Sequence, residues 1–349
     1  MHTTRTSCLL LGLPILLALG ACSSSDDDDG SASQPASWQD CTFVAVGHDG
    51  TAACMSDGTS WLSTNAIDTG EALSGIASDG GGNLVAVGQG GSILRSTDRG
   101  ATWTLAHSLP DEVLGAVASD GDRFVVGASP ALVSTDGGAT WTEGGALDPE
   151  ADVEVAVASV ASTGSGQFVA VGTAFRATAG VAARRRIYAS LDGGATWAVV
   201  DDGEVQSGAS ALSDGYQDVA SSGSRAVVVG ANGLVKVAAG PAFDTWEDAT
   251  GIGADASLYA VAYDASSQRF VAGELEGAIY VSDDGGSWSP GCSEPESNSV
   301  TGIAVRGGEL LAVGPGTAVM SSDGGETCRA AMPALVLHAV AAVEASSGH

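Results

Sequence analysis

The residues best suited to recognition chemistry are four arginines in one short stretch: Arg176, Arg184, Arg185 and Arg186. They are four of the chain's twelve arginines, in a protein with 42 acidic and only 13 basic residues. Guanidinium groups bind carboxylates and phosphates through paired hydrogen bonds, so the cluster predicts a ligand site for an anion or an acidic partner. The alternative interpretation is that these arginines are solvated and balance neighbouring Asp and Glu side chains.

The cysteines form a second group with chemical capacity. Cys8 belongs to the leader described below and Cys22 is the predicted lipidation site, which leaves Cys41, Cys54, Cys292 and Cys328. An even number in an exported protein favours disulfides, and three pairings are possible. We prefer Cys41–Cys54 and Cys292–Cys328, because the first two flank one predicted hairpin. The chain has no CxxC and no Cys/His cluster with zinc spacing, so neither a metal nor another cofactor is predicted.

No catalytic residue is predicted, and the chain is not expected to be an enzyme. It contains no Gly-x-Ser-x-Gly, HExxH or phosphate-loop motif, and its GxG strings belong to turns. With 42 acidic residues, spacing alone does not decide whether two carboxylates could hydrolyse a glycoside. The formal net charge of −29 argues against nucleic acid and against docking on anionic lipid, because both need clustered Lys and Arg.

The elements that must position these residues come from an internal repeat. One unit consists of an apolar strand, a polar turn, a strand such as FVAVG, a short loop, a third strand, and a Gly-rich turn ending in Trp. Seven such units occur, with the tryptophans, or Cys328 in the last unit, 38 to 56 residues apart. The apolar runs are short, rich in Val, Ile, Ala and Leu, and bounded by Gly or Asp, which predicts strands. Four strands per unit is the size of a propeller blade.

The ends of the chain predict a closed ring. The first unit lacks its opening strand, and residues 337–343 (LHAVAAV) resemble the opening strand of the other units. The chain is therefore predicted to be all-β, a seven-bladed β-propeller over residues 38–347, with its C-terminal strand pairing into blade one. Closure of this kind removes exposed sheet edges.

The N-terminal segment predicts export. Residues 8–20 are apolar but short for a membrane span, and they end in Leu-Gly-Ala-Cys at Cys22. This tetrapeptide resembles the lipobox of bacterial lipoproteins, which implies cleavage after residue 21, a lipid on Cys22 and attachment to a membrane of the cell envelope, at the periplasmic side or the cell surface. The outer membrane is the expected one, and the alternative is an ordinary secretory signal. Residues 22–37 form an acidic tether rich in Ser and Asp.

The turn that closes each unit follows the pattern Ser-x-Asp-x-Gly-x-Thr-Trp, with shortened or altered copies. It resembles the Asp-box, or bacterial neuraminidase repeat, of sialidases, sortilin-type receptors and the photosystem II assembly-factor family. The resemblance implies a propeller and does not specify a function. The aspartates can accept backbone N–H groups within the turn, so they are predicted to be structural rather than catalytic. They are Asp57, Asp98, Asp136, Asp192, Asp284 and Asp323.

The resemblance also implies which end of the ring binds a ligand, namely the end away from the Asp-boxes. The loops between strands two and three lie there, and only one is long: residues 173–186, which carry the four arginines. Other residues predicted at this end are His48, Asp49, Asn232, Glu274 and Glu276. Ligand sites commonly lie on such loops.

The predicted function is a non-catalytic envelope lipoprotein. Such an interaction or assembly-factor-like propeller would bind a protein partner or a glycan. One alternative is a divergent glycoside hydrolase or carbohydrate-binding propeller, and another is a purely structural envelope component. Resemblance to sialidases would imply three arginines from different blades, whereas the arginines here come from one loop.

Overall fold

The computed structural model describes residues 37–56, 60–65, 70–110, 112–150, 152–176, 182–205, 214–240, 242–293, 299–331 and 335–343. The chain divides into a unit of residues 1–35 and a unit of residues 36–349, and the fold below belongs to the second. The predicted leader, most of the tether and Cys22 lie outside the described residues. Within the described residues, no helix has the length and apolar character needed to span a bilayer.

In the described residues, twenty-eight strands form seven four-stranded antiparallel sheets, and each sheet is one blade. Blade one contains β28 (Leu337–Ala342), β1 (Phe43–Gly47), β2 (Thr51–Met55) and β3 (Trp61–Asn65). Blade two contains β4 (Leu73–Ser78), β5 (Leu84–Gly88), β6 (Ser92–Ser96) and β7 (Thr104–Ser108). Blade three contains β8 (Val117–Asp120), β9 (Arg123–Val126), β10 (Leu132–Ser134) and β11 (Thr142–Glu143).

The remaining four blades follow in chain order. Blade four contains β12 (Val153–Gly164), β13 (Gln167–Arg176), β14 (Arg184–Ser190) and β15 (Ala198–Glu204). Blade five contains β16 (Tyr216–Ser221), β17 (Arg225–Gly230), β18 (Val235–Ala239) and β19 (Trp246–Asp248). Blade six contains β20 (Leu258–Asp264), β21 (Arg269–Glu274), β22 (Ala278–Ser282) and β23 (Ser289–Ser293). Blade seven contains β24 (Gly302–Arg306), β25 (Glu309–Gly314), β26 (Thr317–Ser321) and β27 (Arg329–Ala330).

The ring is closed as the sequence predicts. The C-terminal strand β28 pairs with β1, with Val44 opposite Ala341 and Ala45 opposite Val340. The first strands of the seven blades contact one another in an unbroken cycle around the axis. The prediction of an all-β, seven-bladed propeller latched by its C-terminal strand is therefore confirmed.

The second strand of each blade shows why the sheets pack in this way. In β1, Val44 and Val46 pack against blade two, while Phe43 and Ala45 pack against blade seven. Successive side chains of a strand point to opposite faces, so an uninterrupted apolar run fills the interfaces on both sides. Seven such clusters are present, one between each pair of neighbouring blades.

The recurring turns between strands three and four, called the Ser–Asp turns below, share one hydrogen-bond pattern. In the turn at residues 96–103, the N–H of Gly100 donates to Ser96 Oγ at 2.8 Å. The N–H and hydroxyl of Thr102 donate to the two oxygens of Asp98 at 2.8 and 2.6 Å. The indole of Trp103 donates to the carbonyl of Gly100 at 2.9 Å. The turn is thus held by its own side chains, with Gly100 at a φ of +92°.

The other turns repeat or modify this pattern. The carboxylates of Asp136, Asp192 and Asp323 accept the same pair of threonine bonds, and Asp284 accepts the N–H groups of Gly286 and Ser287. In blade five Phe243 takes the glycine position at a φ of +48° and still accepts the bond from Trp246. Asp57 lies outside the described residues.

The four cysteines that the structure describes form two disulfides. Cys41, just before β1, is joined to Cys54 in β2, and both lie in blade one. Cys292, in the last strand of blade six, is joined to Cys328, which stands at the tryptophan position of blade seven's turn. The second bond therefore links neighbouring blades where the other repeats place an indole.

Candidate functional site at the turn-free end of the ring

The end of the ring opposite the Ser–Asp turns, called the turn-free end below, carries the loops between strands two and three and the links between blades. Most of these loops are minimal: β1 and β2 are joined by residues 48–50, and β5 and β6 by residues 89–91. Blade four is the exception, because its strands continue beyond those of its neighbours. Among the described segments of the turn-free end, blade four is the one that is raised.

The size of this difference follows from the register of the first strands. The first strands of several blades have a β-bulge near their start, and the residue just after the bulge serves as a common reference point. In β4, β16 and β20 this residue is Gly75, Asp218 and Ala260, and each strand begins two residues before it. In β12 the equivalent residue is Ser159, and the strand begins six residues earlier, at Val153. Four extra residues at 3.3 Å each raise the sheet by about 13 Å. The blade-four extension comprises residues 153–156, 173–176, 184–185 and 203–204.

The extension corrects the sequence interpretation of residues 173–186 as a loop. β13 continues to Arg176 and β14 begins at Arg184, so these arginines lie on paired strands, with Thr173 opposite Arg185 and Ala174 opposite Arg184. Residues 173–183 are mostly Ala and Thr and show no alternation of apolar and polar residues, so the sequence did not predict that the strands extend into this stretch. All four arginines that the sequence singled out are thus brought onto one blade.

Arg186 is buried, with 6% of its surface exposed, and carboxylates surround it. It forms ion pairs with Asp148, with Glu150 at 3.0 Å and with Asp202 at 3.1 Å. Burial by itself lowers the pKa of Arg186, but the hydrogen bonds to Asp202 and Asp148 outweigh it and raise the pKa above its ordinary value. Arg186 therefore stays charged and joins blade four to the segment that leaves blade three.

The other three arginines also have acidic partners. Arg184 pairs with Asp202 at 2.8 Å and Glu204 at 3.3 Å, and Arg185 pairs with Asp214 at 3.4 Å. Arg176 pairs with Glu150 on the surface. Five carboxylates thus surround four guanidinium groups, so an anionic ligand would have to displace side chains of this chain. The alternative interpretation of the sequence, in which neighbouring Asp and Glu side chains balance these arginines, predicts ion pairs of this kind.

The remaining described arginines lie at the end that carries the Ser–Asp turns, and several hold the turn of the next blade. Arg95 donates to the carbonyl of Gly137 at 2.6 Å, Arg123 to that of Gly193 at 3.1 Å, and Arg225 to that of Asp284 at 2.7 Å. Each bond joins one blade to its neighbour. Among the described residues, the arginines of the turn-free end therefore come from blade four alone.

The other residues predicted at this end are scattered around it. His48 is largely exposed and lies 3.0 Å from the carboxylate of Asp49. Asn232 donates to Asp214 at 3.5 Å, and Glu274 accepts the hydroxyl of Tyr280 at 3.3 Å. Glu276 is exposed on the loop between β21 and β22. In the described part of the chain, no three His, Cys, Asp or Glu side chains are grouped as metal ligands.

A narrow channel runs along the axis of the ring. Its cavity of about 210 Å³ is lined by the first strands of all seven blades, mostly through Gly, Ala, Val and Ile. Sites for drug-sized molecules usually enclose about 300–1,000 Å³, so this channel is small for a ligand. Its polar lining comes from a few side chains, among them Ser159, Asp218 and Thr301.

Asp218 is the channel residue that the sequence analysis missed. Its carboxylate accepts the hydroxyl of Ser159 at 2.6 Å and the N–H groups of Val219 and Val261 at 2.8 and 2.7 Å. Enclosure by the surrounding strands raises its pKa to about 6, despite these three bonds. The available signal was its position, which other units fill with Gly75, Ala116 or Ala260.

A larger groove opens between blades three and four at the mouth of the channel. It encloses about 680 Å³ and is lined by the link from blade two (residues 112–115), the β9–β10 loop (residues 127–129), the inner edge of β12 (residues 153–157) and Phe175. Val113 is 71% exposed there and Phe175 is 37% exposed. No motif indicated this groove, because four separate segments form it. We call it the blade three–four groove.

Together these features define the class of protein: a closed seven-bladed β-propeller with one raised blade at the end that lacks the Ser–Asp turns. No protein-family model matches the chain, and no curated protein matches it significantly. Solved structures with the same fold do match. YCF48 bound to a D1 peptide is 18% identical, with a TM-score of 0.54, over 82% of this chain and 84% of that one.

Two further structures show how widely the fold is shared. YCF48 from Cyanidioschyzon merolae is 18% identical, with a TM-score of 0.51, over 76% of this chain and 86% of that one. A structure described as U3-55K is 12% identical, with a TM-score of 0.57, over 77% of this chain and 83% of that one. At these identities the likeness concerns the fold.

Proposed function

We propose that this protein is a non-catalytic interaction propeller of the cell envelope, which binds a segment of a protein partner at the turn-free end. The observation that carries the proposal is the blade-four extension, which raises a sheet edge beside the blade three–four groove with its exposed Val113 and Phe175. Exposed apolar side chains around a concave surface are typical of interaction sites.

The shape of the channel supports a protein ligand over a sugar. Its cavity of about 210 Å³ is smaller than the roughly 300–1,000 Å³ of typical small-molecule sites, so it is small for a sugar ligand. The YCF48 structure with a D1 peptide adds support from a propeller of the same fold, since that protein binds a peptide. We extend peptide binding to this chain as a proposal, together with an assembly-factor-like role.

The arginines argue against sialidase-type catalysis. They belong to one blade and pair with carboxylates of the chain, whereas resemblance to sialidases would imply arginines from different blades binding a substrate.

The lipid that the lipobox resemblance implies on Cys22 would hold the propeller at a membrane through residues 22–37. A Cys22→Ser variant is then expected in the soluble fraction.

Site-specific crosslinking tests the proposal. The full chain is expressed with a photoreactive residue in place of Val113 and, as the matched control, in place of Leu191, which is 54% exposed on a Ser–Asp turn. We expect a discrete protein adduct from the first position and none from the second. Equal labelling from both positions, or turnover of aryl glycosides by the purified chain, would contradict the proposed function.

A further inference from the structure

The inner edge of the blade-four extension has no strand beside it among the described residues. β12 pairs only with β13, and its other edge faces the axis of the ring. Over residues 153–156 no described strand of a neighbouring blade reaches this height, because β8 begins at Val117 and β16 begins at Tyr216, the equivalent of Val157. Along such an edge every second residue directs its N–H and C=O groups away from its own sheet.

The blade three–four groove lies directly beneath this edge. Val155 and Val157 of β12 line one side, and Val113, Leu114 and Ala128 line the other. The floor is closed, since Val157 packs closely on the backbone of Gly127. A strand added at the edge would therefore place alternate side chains against this apolar surface.

The charge at the groove selects among partners. Glu112 and Glu154 line it, and none of its described lining residues is basic. The chain as a whole carries a formal net charge of −29. A cationic segment would be attracted and an acidic one repelled.

From this geometry we propose that the partner binds by strand addition: an extended segment pairs with residues 153–156 of β12. Alternate apolar side chains of the segment enter the blade three–four groove, and Lys or Arg side chains approach Glu112 and Glu154. Four edge residues accommodate about 13 Å of extended chain. Main-chain hydrogen bonds then supply affinity, and the alternate side chains supply specificity. This inference rests on the proposed function and adds to it the binding mode and the sequence class of the partner.

The first experiment selects the peptide. Phage-displayed random dodecapeptides are panned on the purified full chain in detergent, and the enriched peptides are synthesised with a fluorescent label. We expect apolar residues at alternating positions with Lys or Arg between them. Panning on the Glu112→Lys/Glu154→Lys variant is expected to enrich acidic peptides instead.

The second experiment locates the site by fluorescence anisotropy. Val113→Glu and Phe175→Ser should each weaken the selected peptide at least tenfold, because both side chains are exposed and line the groove. Leu191→Glu at the opposite end is the matched control and should leave the dissociation constant unchanged. Because all three side chains are exposed, we expect the thermal midpoints of the variants to match the unmodified chain.

The third experiment tests strand addition itself. Selected peptides are N-methylated at one residue at a time, which removes a single N–H donor. Paired strands predict a period of two: methylation at one set of alternate positions abolishes binding and at the other set is tolerated. An apolar pocket that ignores the peptide backbone predicts no such alternation.

Several outcomes would overturn the inference without touching the proposed function. They are the absence of any enriched peptide, binding that Val113→Glu leaves unchanged, and N-methylation without alternation. A dimer that Val113→Glu dissociates would also overturn it, because the groove would then hold a second copy of this chain. The proposed function fails separately, when the photoreactive residue at Val113 yields no protein adduct.

Discussion

The carboxylate of Asp218 accepts a hydrogen bond from the backbone N–H of Val261, 2.7 Å away and one blade further around the ring. Its other oxygen accepts the hydroxyl of Ser159 in the preceding blade. One side chain thus ties together the first strands of three consecutive blades inside the channel. The channel wall is otherwise made largely of Gly, Ala, Val and Ile, so Asp218 is a specific polar link.

The pKa of Asp218 predicts a pH-dependent contribution to stability. The folded protein holds this proton up to a pH of about 6, whereas the unfolded chain releases it near 3.8. The folded state therefore binds more protons between these values, and its stability falls as the pH rises through them. Relative to Asp218→Asn, we expect the unmodified chain to lose about 1–3 kcal/mol of unfolding free energy over this window.

Urea unfolding of both chains between pH 4 and pH 7 measures this difference. Asp255→Asn, at an exposed position, is the matched control and should follow the unmodified chain. Parallel curves for the unmodified chain and Asp218→Asn would show that Asp218 does not titrate in this range.

The Ser–Asp turns predict a second, opposite pH dependence. Bonds from the hydroxyl and N–H of Thr140 hold the pKa of Asp136 at about 2, with a further bond from Ser134. This carboxylate therefore stabilises the fold above its unfolded pKa, and the contribution is lost as the pH falls towards 2. Asp136→Ala should cost about 1 kcal/mol at pH 7, as the loss of a helix-capping side chain does.

A double-mutant cycle with Thr140→Ala measures the coupling between the two side chains. Because they form two bonds with each other, the double variant should cost less than the sum of the single variants. Strict additivity at pH 7 would mean that the two bonds contribute nothing to stability.

The ion pairs of blade four predict unequal roles for two arginines. Arg186→Met leaves the buried Asp148 without its main partner, which costs about 3–5 kcal/mol in comparable buried pairs. Arg176→Met removes an exposed pair with Glu150 and should cost less than about 1 kcal/mol.

Thermal and urea unfolding of these variants separate the two roles. Adding Asp148→Asn to Arg186→Met should recover part of the lost stability, because no buried charge then remains unpaired. If instead Arg176→Met were as destabilising as Arg186→Met, burial would not be what distinguishes them.

We predict that a tryptophan at position 328 can replace the disulfide between Cys292 and Cys328. Other repeats place an indole at the position of Cys328, and that indole packs between neighbouring blades. Removing the bond with Cys292→Ala/Cys328→Ala should cost about 3 kcal/mol. Cys292→Ala/Cys328→Trp should unfold at a higher temperature than the double alanine variant. Equal midpoints would show that the indole does not substitute for the disulfide.

The sequence predicted the structure correctly where the residues of a single repeat are enough to form an interaction. Each apolar run fills two interfaces of its own blade, and each Ser–Asp turn bonds within itself, so β1 and residues 96–103 carry their own signal. The missing first strand and the surplus last one predicted the pairing of β28 with β1. Local patterns repeated along the chain therefore determined the fold class, the number of blades and the closure.

Only the tertiary structure decided what the turn-free end presents. Arg186 meets Asp148, Glu150 and Asp202, which come from segments up to 38 residues away. The blade three–four groove joins Val113 to Phe175, and Asp218 joins three blades. Contacts of this kind depend on how far each sheet extends along the ring axis and on its register with the neighbouring sheets. The sequence of one repeat specifies the strands of its own blade. It does not specify how that blade is placed against the next one.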